Sequence, residues 1–414
     1  MLDVLAMVMA GGKGERLHPL TRDRTKPAVP FGGKYRLVDF VLSNMINSQI
    51  HSIYVLTQFK SQSLTEHILE NWHFGTILKD HFIIPVPAQM RTGETWYTGT
   101  ADAIYQNAHL IHNNRPKTVA VFGADHIYKM NIRHMLQYHL EKDADITVAA
   151  IPYAKSESKH YGVIQVDKDW RVKGFQEKPD QPATIPGRPD KILASMGNYL
   201  FKREVLESVL ETDAVNEQSS HDFGRDILPA NFSNMKIYVY DFQRNELPGL
   251  DEGEANDYWR DVGTIDSYWE ANMDLRSVSP AFNLYNRYWP IYAGKIYAPP
   301  AKFVHDADSR RGQAINSIVS GGCIISGSTV IDSVLGPYVH LHSYSEVNQS
   351  ILMENVEIGR GSRIKMAIID KHVVIPPETN IGFDLEEDRK KYYVSPKGVV
   401  VIPKGSKYNR PPFL

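Results

Sequence analysis

The sequence predicts an α/β chain, a Rossmann-like and mostly parallel sheet over its first two thirds, followed by a parallel β-helix. Three observations carry this expectation. Apolar runs alternate with helical patterns up to the stretch YWRDVGTIDSYWEANMDL. A glycine-rich, cationic loop follows the first apolar run, where an open parallel sheet places its ligands. Beyond the proline-punctuated connector a short unit recurs 16 to 17 positions apart, at Ser317-Ile318-Val319, Ser333-Val334-Leu335, Ser350-Ile351-Leu352 and Ala367-Ile368-Ile369.

The elements follow in order. Val4 to Met9 reads as a buried strand, Leu37 to Ile46 as a helix, Ile53 to Leu56 as a strand and Ser61 to Leu69 as a helix. Thr118 to Phe122 is a strand, Ile132 to Leu140 a helix and Asp145 to Ile151 another strand. Strands that alternate with helices are joined by right-handed crossovers, so the sheet is covered on both faces and its ligand site lies at the strands' carboxyl ends. Asp125, just past the strand ending near Phe122, falls at that edge. Pro280, Pro290, Pro299 and Pro300 then mark an irregular connector. A repeat of this length, with Gly and Val/Ile steps such as Val356-Glu357-Ile358-Gly359 between its units, suits one coil of a three-sided β-helix, with an irregular β-sandwich as the competing architecture. Solenoids of this kind commonly serve as assembly surfaces, so an oligomer is expected.

Composition narrows the function. Lys and Arg total 46 against 48 Asp and Glu, so no field over the whole molecule recruits nucleic acid or an anionic membrane. Cys323 is the only cysteine, which excludes an intrachain disulfide and a thiolate-only metal site and suits a reducing compartment. Met1-Leu2-Asp3 lacks a basic leader pattern, and no apolar run approaches the ~18 residues of a membrane helix. The expectation is a soluble cytoplasmic protein.

Charge is instead concentrated locally, in MVMAGGKGERLHPLTRDRTKPAVPFGGK. Lys13 precedes Gly14 and Lys34 precedes Tyr35, so neither provides the hydroxyl of a Walker loop, and Gly11-Gly12-Lys13-Gly14 lacks the dinucleotide spacing. The physics of an anion cradle remains: glycines let backbone N–H groups approach phosphate oxygens, and cations complete the enclosure. A glycine turn with solvated charges is the bland alternative.

Ala10-Gly11-Gly12-Lys13-Gly14-Glu15-Arg16-Leu17 with Lys26-Pro27 resembles the signature of the sugar-1-phosphate nucleotidylyltransferases. More selective stretches follow: Phe31-Gly32-Gly33-Lys34, Leu42-Ser43-Asn44, Gly99-Thr100-Ala101, Asp125-His126-Ile127-Tyr128-Lys129, Ser195-Met196-Gly197, Arg260-Asp261-Val262-Gly263-Thr264 and Pro300-Ala301-Lys302-Phe303-Val304. Together they are similar to the glucose-1-phosphate adenylyltransferases of bacteria, over nearly the whole chain.

That resemblance implies a nucleotidyltransferase domain over 1–275, a connector over 276–300, and a left-handed parallel β-helix over 301–414 used for oligomerisation and regulation. It implies the reaction of ATP with α-glucose 1-phosphate to give ADP-glucose and diphosphate, a Mg2+ requirement, a place at the first committed step of glycogen synthesis, anionic metabolite effectors and a homotetramer, with no nucleic-acid or membrane partner. By the same resemblance Arg16, Lys26 and Asp125 are catalytic, and Asp125 and Asp261 hold the metal. Gly11, Gly12, Lys13, Gly14, Gln89, Trp96, Gly99 and Thr100 bind nucleotide. Glu177 and Lys178, in Phe175-Gln176-Glu177-Lys178-Pro179, bind glucose 1-phosphate together with Ser195 and Tyr199. Arg24 and Gln58 are regulatory candidates, and Asp23 stands where relatives often carry a cation for a sugar-phosphate activator. The bland readings are a capping or turn role for each aspartate and an exposed charged turn for Glu177-Lys178-Pro179. Other functions remain open: a catalytically silent regulatory subunit, a transferase of other base or sugar preference, and an acyltransferase using His340 or His342 in the β-helix.

Overall fold

The structure, a computed structural model, describes residues 2–74, 80–91, 93, 96–250, 254–307 and 310–405. Val4–Met9 lies in the interior of a nine-stranded sheet, parallel to Ser52–Thr57 on one side and Thr118–Gly123 on the other. Phe82–Pro87 extends the parallel half beyond Ser52–Thr57. Alternate residues of the first strand enter different cores: Val4, Ala6 and Val8 face one, Leu5 and Met7 the other. This is why the strand reads as a continuous apolar run rather than an alternating one.

Helices Leu37–Asn47, Gln62–Asn71 and Ile132–Glu141 cover the first face through Val38, Val41, Leu42, Leu64, Ile68, Ile132 and Met135. On the other face lie Ala101, Ile104, Ile111, Leu206 and Leu210. The expectation of a mostly parallel sheet needs one qualification beyond Thr118–Gly123. There the 12-residue strand Lys191–Lys202 runs antiparallel to both Thr118–Gly123 and Ile146–Ala154. Its register shifts between Ser195 and Tyr199, where Gly197 adopts φ +68°, a conformation that glycine takes without strain.

From 276 to 301 the chain forms neither helix nor strand. It lies over the first helix: Ser43 Oγ accepts from the Tyr292 amide (2.8 Å), and Asn47 Nδ2 donates to the Pro290 carbonyl (2.9 Å). The remaining chain winds into three parallel ladders. One runs Lys302–Ala307, Ile324–Ser326, His340–Leu341, Glu357–Ile358 and Val374–Ile375. The recurrent triplets predicted from sequence form another, through Ile318–Val319, Val334–Leu335, Ile351–Leu352 and Ala367–Ile369. Their serines explain the repeat. The Ser317 hydroxyl accepts from the Ser333 amide (3.0 Å), that of Ser333 from the Ser350 amide (3.1 Å), and that of Ser350 from the Ala367 amide (3.1 Å). Each hydroxyl thereby satisfies a backbone donor at the corner of the next coil, where no ladder bond is available.

The two parts share a core. Leu17, Leu20, Phe31, Phe40 and Tyr268 pack with Val334, Ile351, Met353, Ile368 and Val401. Among the described residues no helix is long and apolar enough to cross a membrane.

Candidate active site

Residues Met9 and Gly123 are register partners on adjacent parallel strands, so the glycine loop and the turn holding Asp125 leave the sheet side by side; the Ala124 amide donates to the Met9 carbonyl (3.1 Å). A second short pairing brings in the distant aspartate. Trp259–Asp261 runs antiparallel to His126–Tyr128, with Asp261 opposite His126. Lys26 closes the arrangement: its Nζ lies 3.0 Å from Asp125 Oδ2 and 2.7 Å from Asp261 Oδ1. Arg16 reaches the other oxygen of Asp261 at 3.3 Å.

The geometry of the loop follows from its glycines. Gly14 has φ +64°, and a Cβ there would stand 2.8 Å from that of Lys26, so only glycine lets the loop pass over the buried lysine stem. A side chain at Gly263 would meet the Arg16 guanidinium at 2.8 Å and the Asp261 carboxylate at 2.9 Å. Gly12, Lys13 and Arg16 are exposed, leaving this edge open to a ligand.

Burial by itself would lower the Lys26 pKa, but the carboxylates of Asp125 and Asp261 outweigh it and hold the ammonium charged above its ordinary range. Burial would likewise raise Asp125 and Asp261; Lys26 and His126 outweigh it and keep both carboxyls below the usual range, hence ionised. Donor atoms of Asp125, His126 and Asp261 all lie within 4.8 Å of one another. Two carboxylates and an imidazole so placed fit a divalent cation that takes oxygen ligands and completes its shell with phosphate and water. His126 was legible in sequence only as the neighbour of Asp125, since the strand pairing that aims it at Asp261 is a tertiary feature.

The remaining expected residues form three further groups. Gln58 lies under the glycine loop, where its Cβ would be 3.2 Å from one at Gly11, and its Oε1 accepts from the Tyr97 amide (3.0 Å). Gln89 and Trp96 are exposed, with Gln89 Oε1 accepting from Arg91 (3.3 Å). Gly99 passes against the backbone at 220–221, where a Cβ would meet the Ser220 and His221 carbonyls at 2.3 and 2.2 Å. The Thr100 hydroxyl donates to Asp222 and accepts from the Phe223 amide, both at 3.0 Å, so it clasps two loops together.

Glu177 and Lys178 form a separate charged rim. Lys178 Nζ lies 3.3 Å from Glu177, which also meets Arg225 at 3.4 Å. Arg225 carried no sequence signal, being far along the chain. Lys178 connects to the aspartate strand through Tyr161: its amide donates to the Tyr161 carbonyl (3.1 Å), and the Tyr161 ring lies 5.8 Å from that of Trp259. Ser195 accepts from the Gly197 amide (3.3 Å), and Tyr199 is buried against Phe223, its hydroxyl pKa raised by burial.

The regulatory cations expected around residue 23 point in different directions. Arg24 is buried, and its Nη2 lies 2.7 Å from both oxygens of Asp370, so it contacts the β-helix. Arg22 pairs with the exposed Asp23 (3.2 Å) and donates to the Lys404 carbonyl.

The glycine loop thus lies at a parallel-sheet edge beside two ionised aspartates bridged by lysine, and residues 5–278 match the family described as nucleotidyl transferase. Residues 299–402 match the GlmU-like C-terminal hexapeptide family. The chain is 57% identical over 413 residues to the glucose-1-phosphate adenylyltransferase of Thermus thermophilus, covering 98% of this chain and 99% of that one. Identity is 53% over 408 residues with the enzyme so named from Deinococcus radiodurans (97% and 98% covered), and 50% over 407 residues with glucose-1-phosphate adenylyltransferase 1 of Vibrio vulnificus (98% and 99%). The chain belongs to the glucose-1-phosphate adenylyltransferase family.

Proposed function

We propose that this chain transfers the adenylyl group of ATP to α-D-glucose 1-phosphate, releasing diphosphate. A phosphate oxygen of the sugar attacks the α-phosphorus, and the bond from that phosphorus to the bridging oxygen of the leaving diphosphate breaks. The attacking oxygen is already anionic at neutral pH, so the chemistry needs neither a covalent nucleophile nor a strong general base. It needs two polyanions held in line and charge neutralised as it moves to the leaving group.

The observation that carries this reading is the bridge from Lys26 to Asp125 and Asp261 beside the glycine loop. Arg16 and Lys26 are the cations for the triphosphate, and backbone amides of Gly11 to Gly14 line its approach. Asp125 and Asp261, with His126 adjacent, are the seat for Mg2+, which when bound neutralises phosphate charge. Two carboxylates here are matched by two cations. A triphosphate competes for those cations, and the carboxylates then require another counter-charge, which is a physical reason for nucleotide and metal to bind together. Glu177 and Lys178 meet the sugar phosphate, Lys178 as a point charge and Glu177 as acceptor for hydroxyls.

The same reading extends to anionic effectors, to the first committed step of glycogen synthesis in the cytoplasm, and to a homotetramer with the domain division 1–275, 276–300 and 301–414. Tyr285, Tyr288 and Tyr297, at 74%, 76% and 88% exposure, give the connector an apolar surface that supports assembly. The test is diphosphate release from every pairing of nucleoside triphosphate with sugar 1-phosphate, with and without Mg2+. The fastest pair is expected to be ATP with glucose 1-phosphate, dependent on the metal. Equal or faster turnover with GTP or dTTP would overturn the base assignment, and silence with every pair would favour the regulatory-subunit reading.

A further inference from the structure

We propose that the outer face of the β-helix carries a second metal site, formed by His340, His342 and Glu357, for a transition-metal cation of the zinc type. His340 and His342 flank Leu341 on one strand. Val339 and Leu341 are completely buried, so the alternation of a strand sends both imidazoles outward on one face. Glu357 is the register partner of His340 on the next coil, and Val356 and Ile358, buried on either side of it, turn its carboxylate outward as well.

The three side chains converge. Donor atoms of His340, His342 and Glu357 lie within 4.8 Å of one another, the two imidazole rings are 4.2 Å apart, and His342 Nε2 is 2.7 Å from Glu357 Oε1. Zinc ligands at roughly 2.0–2.1 Å in a tetrahedron stand about 3.3 Å from each other, so seating a cation opens the 2.7 Å contact by about 0.6 Å, within reach of side-chain rotation. The backbone is fixed by its ladder: the amides of His340 and His342 donate to the Val356 and Ile358 carbonyls at 2.9 and 3.0 Å. A donor set mounted on two adjacent coils is more rigid than one on a loop.

The chemistry of the donors separates this site from the one beside the glycine loop. Two imidazoles and a single carboxylate favour zinc, cobalt or nickel over magnesium, whereas the Asp125 and Asp261 pair offers hard oxygen ligands. Three protein ligands leave a fourth position for water. Bound there, the cation ties two consecutive coils together across the face of the β-helix.

The experiment uses the full chain carrying Asp125→Asn, stripped with chelator and returned to buffer with millimolar Mg2+, titrated calorimetrically with ZnCl2. In parallel, Co2+ is added and its visible ligand-field absorption recorded. One zinc per chain and a cobalt band of tetrahedral intensity are expected. In a protein that also carries His342→Ala the affinity falls by on the order of 10²-fold and the band is lost, while Glu357→Gln weakens both. His342→Gln, which keeps a polar side chain of similar reach, repeats the test should the alanine variant unfold. Zinc uptake unchanged by the His342 variants, or no stoichiometric uptake by their parent, overturns the proposal.

Discussion

Arg24 and Lys26 stand two residues apart on one loop, both are buried to 5% exposure, and each is paired with aspartate, yet the pairs are built differently. Asp370, the partner of Arg24, has a side chain only 2% exposed, and its oxygens also accept from the amides of Lys371 (2.7 Å) and Lys404 (3.2 Å). That pair is buried and matched one to one. Lys26 faces two carboxylates whose side chains are 36% and 25% exposed. Lys26 is shared between two partly exposed aspartates, one of which also meets Arg16, so the pairings can still be rearranged by a ligand. The difference supports the proposed role of Lys26 in chemistry and gives Arg24 a contact that ties its loop to the β-helix, although a count of charges treats them alike.

The comparison breaks most readily at Arg24. Replacing it by Met strands the Asp370 carboxylate in the shared core, and a loss of about 3–5 kcal/mol in stability is expected. The double variant Arg24→Met with Asp370→Asn should recover part of that loss, since the neutral amide carries no stranded charge and its oxygen can still accept from a backbone amide; chemical denaturation of the single and double variants measures the difference. Next in size is Asp125→Asn, which keeps the shape but removes charge from the proposed metal seat. Its turnover should fall by at least ~10²-fold with little change in the denaturation midpoint. Near-normal turnover with an unchanged Mg2+ requirement would remove Asp125 from the site.

A smaller effect is expected at the charged rim. Lys178→Ala should raise the KM for glucose 1-phosphate by about 10-fold and leave that for ATP nearly unchanged; equal effects on both would displace Lys178 from the sugar phosphate. Asp23→Lys sharpens the comparison from the exposed end of the loop. Asp23 pairs only with Arg22 among the ion pairs of the described residues, so its replacement releases one cation and adds another. Basal turnover should stay within about twofold, while activation by an anionic sugar phosphate, tested with fructose bisphosphate as probe, should be stronger than in the parent under the proposed regulation. Identical activation curves would leave Asp23 without a regulatory part.

Much of this was legible in the sequence because local patterns encode it. The strand Val4–Met9, the helix Leu37–Asn47 and the serine triplets of the β-helix each follow from periodicity over a few residues. The reversal of Lys191–Lys202 was not, because strand direction depends on partners far away in sequence. Motif residues carried identity better than role. Asn44, part of the selective Leu42-Ser43-Asn44 stretch, donates to the Tyr128 carbonyl (3.0 Å) and accepts from the Met130 amide (2.9 Å), so it braces the strand after Asp125 rather than touching a ligand position. Gly33, from Phe31-Gly32-Gly33-Lys34, approaches the β-helix where a Cβ would meet Ser320 Oγ at 2.7 Å. The pairing of Arg24 with Asp370 was not legible either, because the partner lies 346 residues away, beyond any local pattern.

The division of labour on this loop is tested most directly by measuring turnover and the apparent unfolding midpoint together for Lys26→Met and Arg24→Met. For Lys26→Met, in Mg2+ buffer, turnover should fall by at least ~10²-fold while the midpoint stays within a few degrees of the parent. For Arg24→Met the midpoint should fall by several degrees, and the protein that remains folded should keep turnover within about tenfold. Equal losses of turnover and stability in the two variants would contradict the account.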